Sequence, residues 1–221
     1  MKIFVAIPAR VGRICAATTI SLMNEKAVAE LAGVELQLGI VPGCSAPHFA
    51  RDQLVRDFLA TDAERLVFVD DDVSWEAGSL IKLAAKPVDL VGGAYRFKQD
   101  EEAYPVQWLP NKYLLGDPET GLLQVMSLPG GFMAIGRRVF EELKAAHPER
   151  AYSHMGHDLH GFFCMPYGGG EDTQFCMDWQ KISGRVWLDP ELALTHHGGS
   201  KSYAGHIGDW LRARSEFMEP I

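Results

Sequence analysis

Residues 65–73 read RLVFVDDDV, a short apolar run that leads directly into three consecutive carboxylates. The apolar run predicts a buried strand. Side chains alternate along an extended segment, so Asp70 and Asp72 point to one side and Asp71 to the other. Three adjacent carboxylates repel one another unless a positive charge compensates them. Because Mg²⁺ and Mn²⁺ prefer carboxylate oxygens, the segment predicts a D-x-D metal site at Asp70 and Asp72, with a solvated acidic turn as the alternative.

The segments around this strand alternate between strand-like and helix-like patterns. Their order is a strand at 2–7, a helix near 16–31, a strand at 34–41, a helix at 46–60, a strand at 65–69, a helix near 77–85 and a strand at 88–95. This order is typical of a parallel sheet covered by helices on both faces. Ligands bind such sheets at the carboxyl ends of the strands, where the three aspartates lie.

The second half of the chain is less regular. It predicts strands at 104–109, 122–126 and 132–135, a helix at 137–146, a His- and Gly-rich loop at 152–170, a helix beginning at Glu171, and strands at 186–188 and 192–195. A length of 221 residues supports one core of ordinary size. We therefore expect a single α/β domain with a mixed sheet.

Composition and charge narrow the classes of function. The net charge of −8 argues against a general polyanion binder, and a polyphosphate ligand would need a cation or a few focused basic groups. The four cysteines include no C-x-x-C pair, which argues against a zinc ribbon or a disulfide scaffold. The N-terminal apolar run is shorter than a signal peptide needs, and no stretch reaches transmembrane length. We therefore expect a cytoplasmic protein with no membrane contact.

Two further groups of side chains carry chemistry. Glu171 and Asp172 follow three glycines and open a helix, so one of them is a candidate general base. Helix capping is the structural alternative, and the sequence does not choose between the two carboxylates. His196 and His197 follow the last apolar strand and face opposite sides of it, so one imidazole can complete the metal site.

Five segments of the chain occur together in one known family. They are ARDQLVRDFLATDAERLVFVDDDVSW (50–75), DLVGGAYRFK (89–98), PGGFMAIGRRVFEEL (129–143), GEDTQFC (170–176) and THHGG (195–199). This combination resembles family-2-type glycosyltransferases with the GT-A fold, and the short forms of bacteria and their phages most of all. The similarity runs from Lys2 to about Gly205. It implies a Rossmann-like, mainly parallel sheet in a single domain at 1–221, with a nucleotide-binding half at 1–100 and an acceptor half at 101–221.

The resemblance also implies roles for the candidate residues. Asp72 is the implied direct ligand of Mn²⁺ or Mg²⁺, with Asp70 nearer the ribose and the metal's water shell. His196 is the implied third metal contact, and His197 is its rival. Asp172 is the usual base of the acidic pair that it forms with Glu171. The donor, a UDP-sugar by the family's habit, is implied to contact residues from several loops: Pro8, Ala9, Arg10, Arg51, Asp70, Asp71, Gly130 and Gly131.

The expected activity is metal-dependent transfer of a sugar from a nucleotide-sugar to an acceptor hydroxyl, with inversion. A nucleotidyltransferase acting on a sugar phosphate is one alternative. Such enzymes usually have a Gly-rich loop with Lys or Arg after the first strand, and PARVGR (8–13) matches that pattern only faintly. A non-catalytic nucleotide-sugar-binding module is another.

The acceptor stays open between a glycan, a lipid-linked or protein acceptor, and a hydroxymethylated base in phage DNA. A DNA acceptor would need a basic rim and an aromatic to cover an extruded base, for which the candidates are Arg137, Arg138, Lys201, Arg212, Arg214, Trp108 and Phe162. The segment HMGHDLHGFFCM (154–165) has no counterpart in the family. Its histidines and Cys164 are either a soft-metal site or, as we prefer, part of an acceptor-side loop.

Overall fold

The computed structural model describes residues 1–110, 114–165 and 169–214. Its strands are β1 (Lys2–Ala9), β2 (Glu35–Pro42), β3 (Arg65–Val69), β4 (Val73–Trp75), β5 (Leu90–Gly92), β6 (Leu115–Gly116), β7 (Leu123–Val125), β8 (Phe132–Gly136), β9 (Ala151–His154), β10 (His157–His160), β11 (Val186–Leu188), β12 (Ala193–Gly198) and β13 (Lys201–His206). Its helices are α1 (Ala16–Ala32), α2 (Pro47–Leu59), α3 (Ser79–Ala84), α4 (Arg137–Ala146), α5 (Glu171–Lys181) and α6 (Ile207–Arg212), with a 3₁₀ turn at Pro148–Arg150.

Eight of the described strands form one sheet in the order β2-β1-β3-β8-β5-β11-β7-β6. β1 pairs in parallel with β2 and β3, and β5 pairs in parallel with β11. β8 lies antiparallel between β3 and β5, and β7 lies antiparallel between β11 and β6. The predicted mixed, mainly parallel α/β fold is therefore confirmed, although the parallel arrangement suggested by the first half alone is interrupted by β8 from the second half.

The central strand β3 is buried on both faces, which explains its unbroken apolar sequence. Leu66 and Phe68 face a core that is closed by α2, α4, α5 and α6. Val67 and Val69 face a second core, on the side of α1 and α3. Helices thus cover both faces of the sheet, and the carboxyl end of β3 is left open at one edge.

A second sheet, with the order β13-β12-β4, brings the late histidines to this edge. β12 pairs antiparallel with β4, and the register sets His196 opposite Val73. The backbone N–H of His197 donates to the carbonyl oxygen of Asp72 at 2.8 Å. Strand pairing therefore places THHGG beside the D-x-D segment.

The predicted loop at 152–170 is wrong in its first part, where β9 and β10 form an antiparallel hairpin. Met155 and Gly156 at its tip have φ angles of 49° and 78°, and positive values at both positions are those of a two-residue hairpin turn. Residues 166–168 of the predicted loop lie outside the described ranges. A non-glycine residue at the first turn position hid the hairpin from sequence analysis.

Two other features of the fold bear on the predictions. The strand predicted at 104–109 is wrong, because within it the structure has an isolated bridge between Gln107 and Ser127. Pro105 and Pro110 lack the N–H groups that a longer ladder needs. Within the described ranges, no helix combines the length and the apolar character that crossing a bilayer requires.

Glu25 is a fully buried carboxylate that joins α1 to the start of α3. It accepts hydrogen bonds from the indole N–H of Trp75 at 2.9 Å and from the backbone N–H groups of Gly78 at 2.8 Å and Ile81 at 2.9 Å. The two backbone donors lie at the N-terminus of α3, where N–H groups have no partner within the helix. Glu25 therefore supports the packing of α1 and α3 against the sheet.

We expect Glu25→Ala to lower the free energy of unfolding by about 3 kcal/mol or more, because it leaves three buried donors without an acceptor. Urea denaturation at neutral pH measures the change. Glu30→Ala on the same helix is the control, because Glu30 is exposed and pairs with Lys26 at 3.9 Å. We expect the control to cost less than about 0.5 kcal/mol. Equal losses in the two variants would contradict the role given to Glu25.

Candidate active site

A cavity of about 270 Å³ opens at the carboxyl ends of β1 and β3. Residues from both halves of the chain line it, as the predicted site residues do. The lining residues are Pro8, Arg10, Cys44, Pro47, Arg51, Asp70, Asp71, Asp72, Tyr95, Glu171 and His196. Most of the candidate residues from the sequence therefore meet at one place, although Ala9, Gly130, Gly131, Asp172 and His197 are not in its wall.

Arg51 of α2 connects the D-x-D segment with the acidic pair. Its buried guanidinium donates to Asp70 Oδ1 at 3.0 Å and to Glu171 Oε1 at 3.4 Å. It also donates to the carbonyl oxygen of Gly130 at 3.0 Å and lies over the ring of Phe68, 4.8 Å from the centroid. Burial lowers the pKa of Arg51, but the charges of Asp70 and Glu171 outweigh burial and raise it. Arg51 therefore stays charged and fixes the two acidic groups relative to each other.

Asp70 is held by contacts within the protein. Its Oδ1 accepts from Arg51, and its Oδ2 accepts from the hydroxyl of Tyr95 at 2.7 Å. Burial and the charge of Asp70 raise the pKa of Tyr95, which keeps the hydroxyl a donor. Both carboxylate oxygens of Asp70 therefore already have donors within the protein. Sequence analysis missed Tyr95, whose signals were its place at the end of a predicted strand and in the segment DLVGGAYRFK.

Gly131 packs directly against this pair. A Cβ at Gly131 would lie 2.1 Å from Asp70 Oδ2 and 2.5 Å from the hydroxyl oxygen of Tyr95. Both distances are well below 3.0 Å, a separation from unbonded heavy atoms that Cβ atoms essentially never go under. The sequence requires glycine here because of this close approach, as the family resemblance implies for the GG turn.

We expect Gly131→Ala to displace Asp70 and Tyr95, to lower the free energy of unfolding by about 1–3 kcal/mol, and to weaken nucleotide binding. Thermal unfolding and titration with UDP measure the two effects. Gly116→Ala is the control, because its added Cβ would meet Leu123 Cδ2 at an ordinary 3.7 Å. A Gly131→Ala protein with unchanged UDP affinity would show that this packing does not support the site.

Asp72 and His196 have the geometry of a pair of metal ligands. His196 Nε2 lies 3.4 Å from Asp72 Oδ1, and His196 Nδ1 lies 2.8 Å from the carbonyl oxygen of Arg96. A carbonyl only accepts, so Nδ1 carries the proton and, in the neutral ring, Nε2 has a free lone pair. Adjacent ligands of an octahedral Mg²⁺ are about 3 Å apart. The two side chains therefore fit a hard divalent cation.

The cation would need further ligands from outside the protein. Among the described residues, no group of three His, Cys, Asp or Glu side chains is arranged to hold a metal ion. Mg²⁺ sites in proteins often use one or two carboxylates and complete the sphere with water and substrate phosphates. Asp72 and His196 match that type of incomplete site.

Lys98 is a cationic neighbour that sequence analysis missed. Its Nζ lies 2.5 Å from Asp72 Oδ2, the oxygen that does not face His196. Burial opposes ionisation of Asp72, but its contacts with the His196 ring and the Lys98 ammonium group outweigh burial and lower the pKa of Asp72. Asp72 is therefore ionised at neutral pH. The signal for Lys98 in the sequence was its place in the segment DLVGGAYRFK.

Asp71 shows the effect of the repulsion between carboxylates that was predicted for the acidic run. Burial raises its pKa to about 6, and the charges of Asp72 and Asp70 add to the effect. Its backbone carbonyl accepts from the N–H of Cys15 at 2.8 Å. Asp71 lines the cavity together with Pro8 and Arg10, on the side implied for the nucleotide base.

The acidic pair forms the first residues of α5. Asp172 Oδ2 accepts from the backbone N–H of Gly130 at 3.1 Å, and Oδ1 accepts from the N–H of Thr173 at 2.7 Å. Burial raises the pKa of Asp172, Glu171 raises it further, and Arg51 opposes them. The bond to Thr173 satisfies a backbone N–H group in the first turn of α5, so Asp172 has a structural contact at this helix terminus. Glu171 faces the cavity and Arg51 instead.

His197 is directed away from Asp72. Its Nε2 lies 2.8 Å from the hydroxyl oxygen of Ser74, and its Nδ1 lies 2.9 Å from that of Ser202. Both ring nitrogens thus have partners on the far face of β12. Of the two adjacent histidines, the geometry favours His196 as the ligand.

The basic residues considered for DNA contact are engaged within the protein. Arg137 donates to the carbonyl oxygens of four residues: Phe58, Leu59, Thr61 and Ala63. Arg138 pairs with Glu142, Lys201 with Asp100 and Arg212 with Asp209, while Arg214 lies over the ring of Trp210. Phe162 is buried in the core, and Trp108 packs against it. The side chains of Arg138, Lys201 and Arg212 are nevertheless exposed, so their ion pairs are surface contacts.

The histidines of the segment 154–165 do not form a metal centre with Cys164 in the described part of the chain. His154 stacks on Phe49 with ring centroids 4.7 Å apart, His160 is buried, and His157 lies at the hairpin. Cys164 Sγ donates to the carbonyl oxygen of Gly161 at 3.4 Å. His154 and His157 lie opposite each other in the hairpin, but the described residues contain no third His, Cys, Asp or Glu placed to complete a metal site with them.

Comparisons with known proteins show likeness in fold. No family model and no curated protein matches the sequence. A crystal structure of GalNAc-T7 with UDP, GalNAc and Mn²⁺ matches with a TM-score of 0.54 at 12% identity, over 88% of this chain and 43% of that one. A crystal structure of S. aureus TarS 1–349 matches with a TM-score of 0.51 at 12% identity, over 92% of this chain and 60% of that one. This chain thus spans about half the length of the two proteins, and its mixed α/β domain has a fold of the GT-A glycosyltransferase type.

Proposed function

We propose that the protein is a metal-dependent glycosyltransferase that moves a sugar from a nucleotide-sugar to an acceptor hydroxyl with inversion. The observation that carries the proposal is the shared cavity at the carboxyl edge of the sheet. Arg51 joins Asp70 and Glu171 there, and Asp72 and His196 form an incomplete ligand pair beside them. An incomplete cation site next to a rigidly held acidic pair suits a donor that brings its own phosphate oxygens.

Each group of residues has a separate task in this proposal. Asp72 and His196 would hold the cation, which would supply positive charge to offset the negative charge of the departing nucleoside diphosphate. Asp70, fixed by Arg51 and Tyr95, orients the ribose. The lining residues Pro8 and Arg10, with Asp71, receive the nucleotide base. Positioning by a buried network limits the freedom of the donor before reaction.

Asp172 is the proposed general base. Its carboxylate takes the proton of the acceptor hydroxyl while that oxygen bonds to the anomeric carbon from the face opposite the diphosphate. The bond from the anomeric carbon to the diphosphate oxygen breaks, and its electron pair leaves with the nucleoside diphosphate. The raised pKa of Asp172 supports this role, because a stronger base accepts the proton more readily. Glu171, which contacts Arg51, is the alternative base.

A neutral acceptor such as a glycan fits better than DNA. The five basic side chains considered for a phosphate contact donate to carbonyls, pair with carboxylates or cover an aromatic ring. A DNA contact would have to break these interactions before it gained any with phosphate. We therefore place a glycan acceptor first.

A panel of nucleotide-sugars with Mn²⁺ tests the function. UDP-sugars come first, because the GalNAc-T7 structure contains UDP and Mn²⁺. Release of nucleoside diphosphate, with a glycan panel and with hydroxymethylated DNA as separate acceptors, would support the proposal and identify the acceptor. Release of pyrophosphate from a nucleoside triphosphate and a sugar phosphate would assign a nucleotidyltransferase instead. Binding without turnover of any donor would assign a non-catalytic module.

A further inference from the structure

Lys98 and His196 contact different carboxylate oxygens of Asp72. Lys98 Nζ lies 2.5 Å from Oδ2, and His196 Nε2 lies 3.4 Å from Oδ1. The ammonium group thus binds one oxygen of the carboxylate whose other oxygen faces His196. Two positive charges that share one carboxylate repel each other, so the ammonium and the cation compete for Asp72.

The loop that contains Lys98 is hydrogen-bonded to β12, which contains His196, and to the neighbouring strand β13. The carbonyl oxygen of Arg96 orients the His196 ring, and the guanidinium of Arg96 donates to the carbonyl oxygen of Ala204 at 3.3 Å. A Cβ at Gly198 would lie 3.1 Å from Lys98 Cδ, so the glycine leaves room for the lysine stem. The four-carbon stem lets the ammonium change partners by bond rotation while the loop stays in place.

Asp72 and His196 alone are a weak cation site. Without a third side chain in the described ranges, the ion depends on oxygens from the nucleotide and on water. A diphosphate would bring those oxygens together with negative charge that can pair with an ammonium. The same ligand therefore strengthens the cation site and offers Lys98 a second partner.

We infer that Lys98 is a further diphosphate-binding residue, which pairs with Asp72 in the free protein and transfers to the diphosphate when cation and nucleotide bind. The inference rests on the proposed function. This change of partner by Lys98 makes the cation and the nucleotide bind cooperatively. Each binds weakly alone, and each raises the affinity for the other by the same factor. Lys98 thus links occupation of the metal site to the presence of the donor.

Isothermal titration of Mn²⁺ with and without UDP, and of UDP with and without Mn²⁺, tests the inference in the wild type, in Lys98→Met and in Lys201→Met. Lys201 is a matched control, because it is a lysine on β13 that pairs with the exposed Asp100. GDP and dTDP are titrated in parallel, because the diphosphate and not the base is the group in question.

In the wild type and in Lys201→Met we expect UDP to tighten Mn²⁺ binding by at least about tenfold. In Lys98→Met we expect Mn²⁺ alone to bind about fivefold more tightly, because its competitor is gone. UDP with saturating Mn²⁺ should bind about tenfold more weakly in this variant, because a charged partner of the diphosphate is lost. The mutual tightening by UDP and Mn²⁺ should therefore shrink.

Unchanged Mn²⁺ affinity in Lys98→Met without nucleotide, or the same tightening by UDP as in the wild type, would overturn the role of Lys98 and leave the proposed function standing. Failure of wild type and variant to take up Mn²⁺ with any of the three nucleotides would overturn the metal-dependent function itself. Thermal unfolding of each variant checks that the fold is intact, which we expect because the Lys98 side chain is 37% exposed.

Discussion

Asp172→Asn is expected to lower the rate of sugar transfer by roughly 100- to 10,000-fold, the range for losing a positioned general base. Asparagine has the shape of aspartate and can still accept from the backbone N–H of Gly130 or Thr173, but it cannot take a proton from the acceptor. Because the change does not touch Asp72 or His196, we expect the affinities for Mn²⁺ and UDP to stay within about twofold. Rates of diphosphate release and titration calorimetry measure the two quantities.

Glu171→Gln is the matched control for this substitution. It removes the neighbouring charge, and Arg51 keeps an acceptor oxygen in place of the carboxylate at 3.4 Å. We expect a loss of about tenfold or less, since Glu171 acts through the position of Arg51. If Asp172→Asn keeps most of the rate and Glu171→Gln loses it, the base is Glu171.

The dependence of the rate on pH separates the two roles further. Burial raises the pKa of Asp172, and the charge of Glu171 adds to the rise. The base acts only when ionised, so the rate should fall as the pH drops through this raised pKa, at higher pH than for an ordinary carboxyl group. Glu171→Gln removes a like charge, so the acidic limb of its profile should move to lower pH. If the acidic limb of the Glu171→Gln profile stayed at the wild-type pH, the charge of Glu171 would not influence the pKa of the base.

The sequence predicts most of the fold because the signals are local. The alternating segments of the first half all appear, and β3 has its apolar sequence because cores lie on both of its faces. The insertion of β8 between β3 and β5 was not predicted, since strand order depends on long-range packing that no local pattern encodes. The hairpin β9–β10 was missed for a local reason. Its turn has Met155 at a position where glycine or asparagine is usual, so the local sequence lacked the expected turn signal.

The site is predictable as far as residue types at strand ends reveal it. Asp72, His196 and the acidic pair were found because carboxylates and imidazoles at the edge of a sheet suggest chemistry, and the register of β12 with β4 brings His196 to Asp72. Tyr95 and Lys98 were not identified, because a tyrosine at the end of a predicted strand and a lysine just after it have no distinctive pattern. Their contacts with Asp70 and Asp72 arise only when the chain folds.

Asp72→Ala is expected to abolish uptake of Mn²⁺ in the presence of UDP and to lower transfer by about 1,000-fold or more. A cation that neutralises the leaving group contributes several kcal/mol to the rate, and Asp72 is its charged protein ligand in this proposal. In the wild type, Mn²⁺ with UDP should raise the melting temperature, because ligands that bind the folded state stabilise it. That rise should vanish in the variant. Calorimetry, thermal unfolding and diphosphate release measure the three effects.

Asp100→Ala is the control for Asp72→Ala, because Asp100 is an exposed aspartate on the same loop as Lys98 and pairs with Lys201. It should keep the rise in melting temperature and the transfer rate. Asp72→Ala also frees Lys98, so UDP without metal should still bind to a folded protein, which separates loss of the cation from loss of the fold. Asp72 is the proposed charged ligand of the ion. An Asp72→Ala variant that kept Mn²⁺-dependent stabilisation would therefore show that the ion binds elsewhere. The acidic run would then be only a solvated turn after a buried strand.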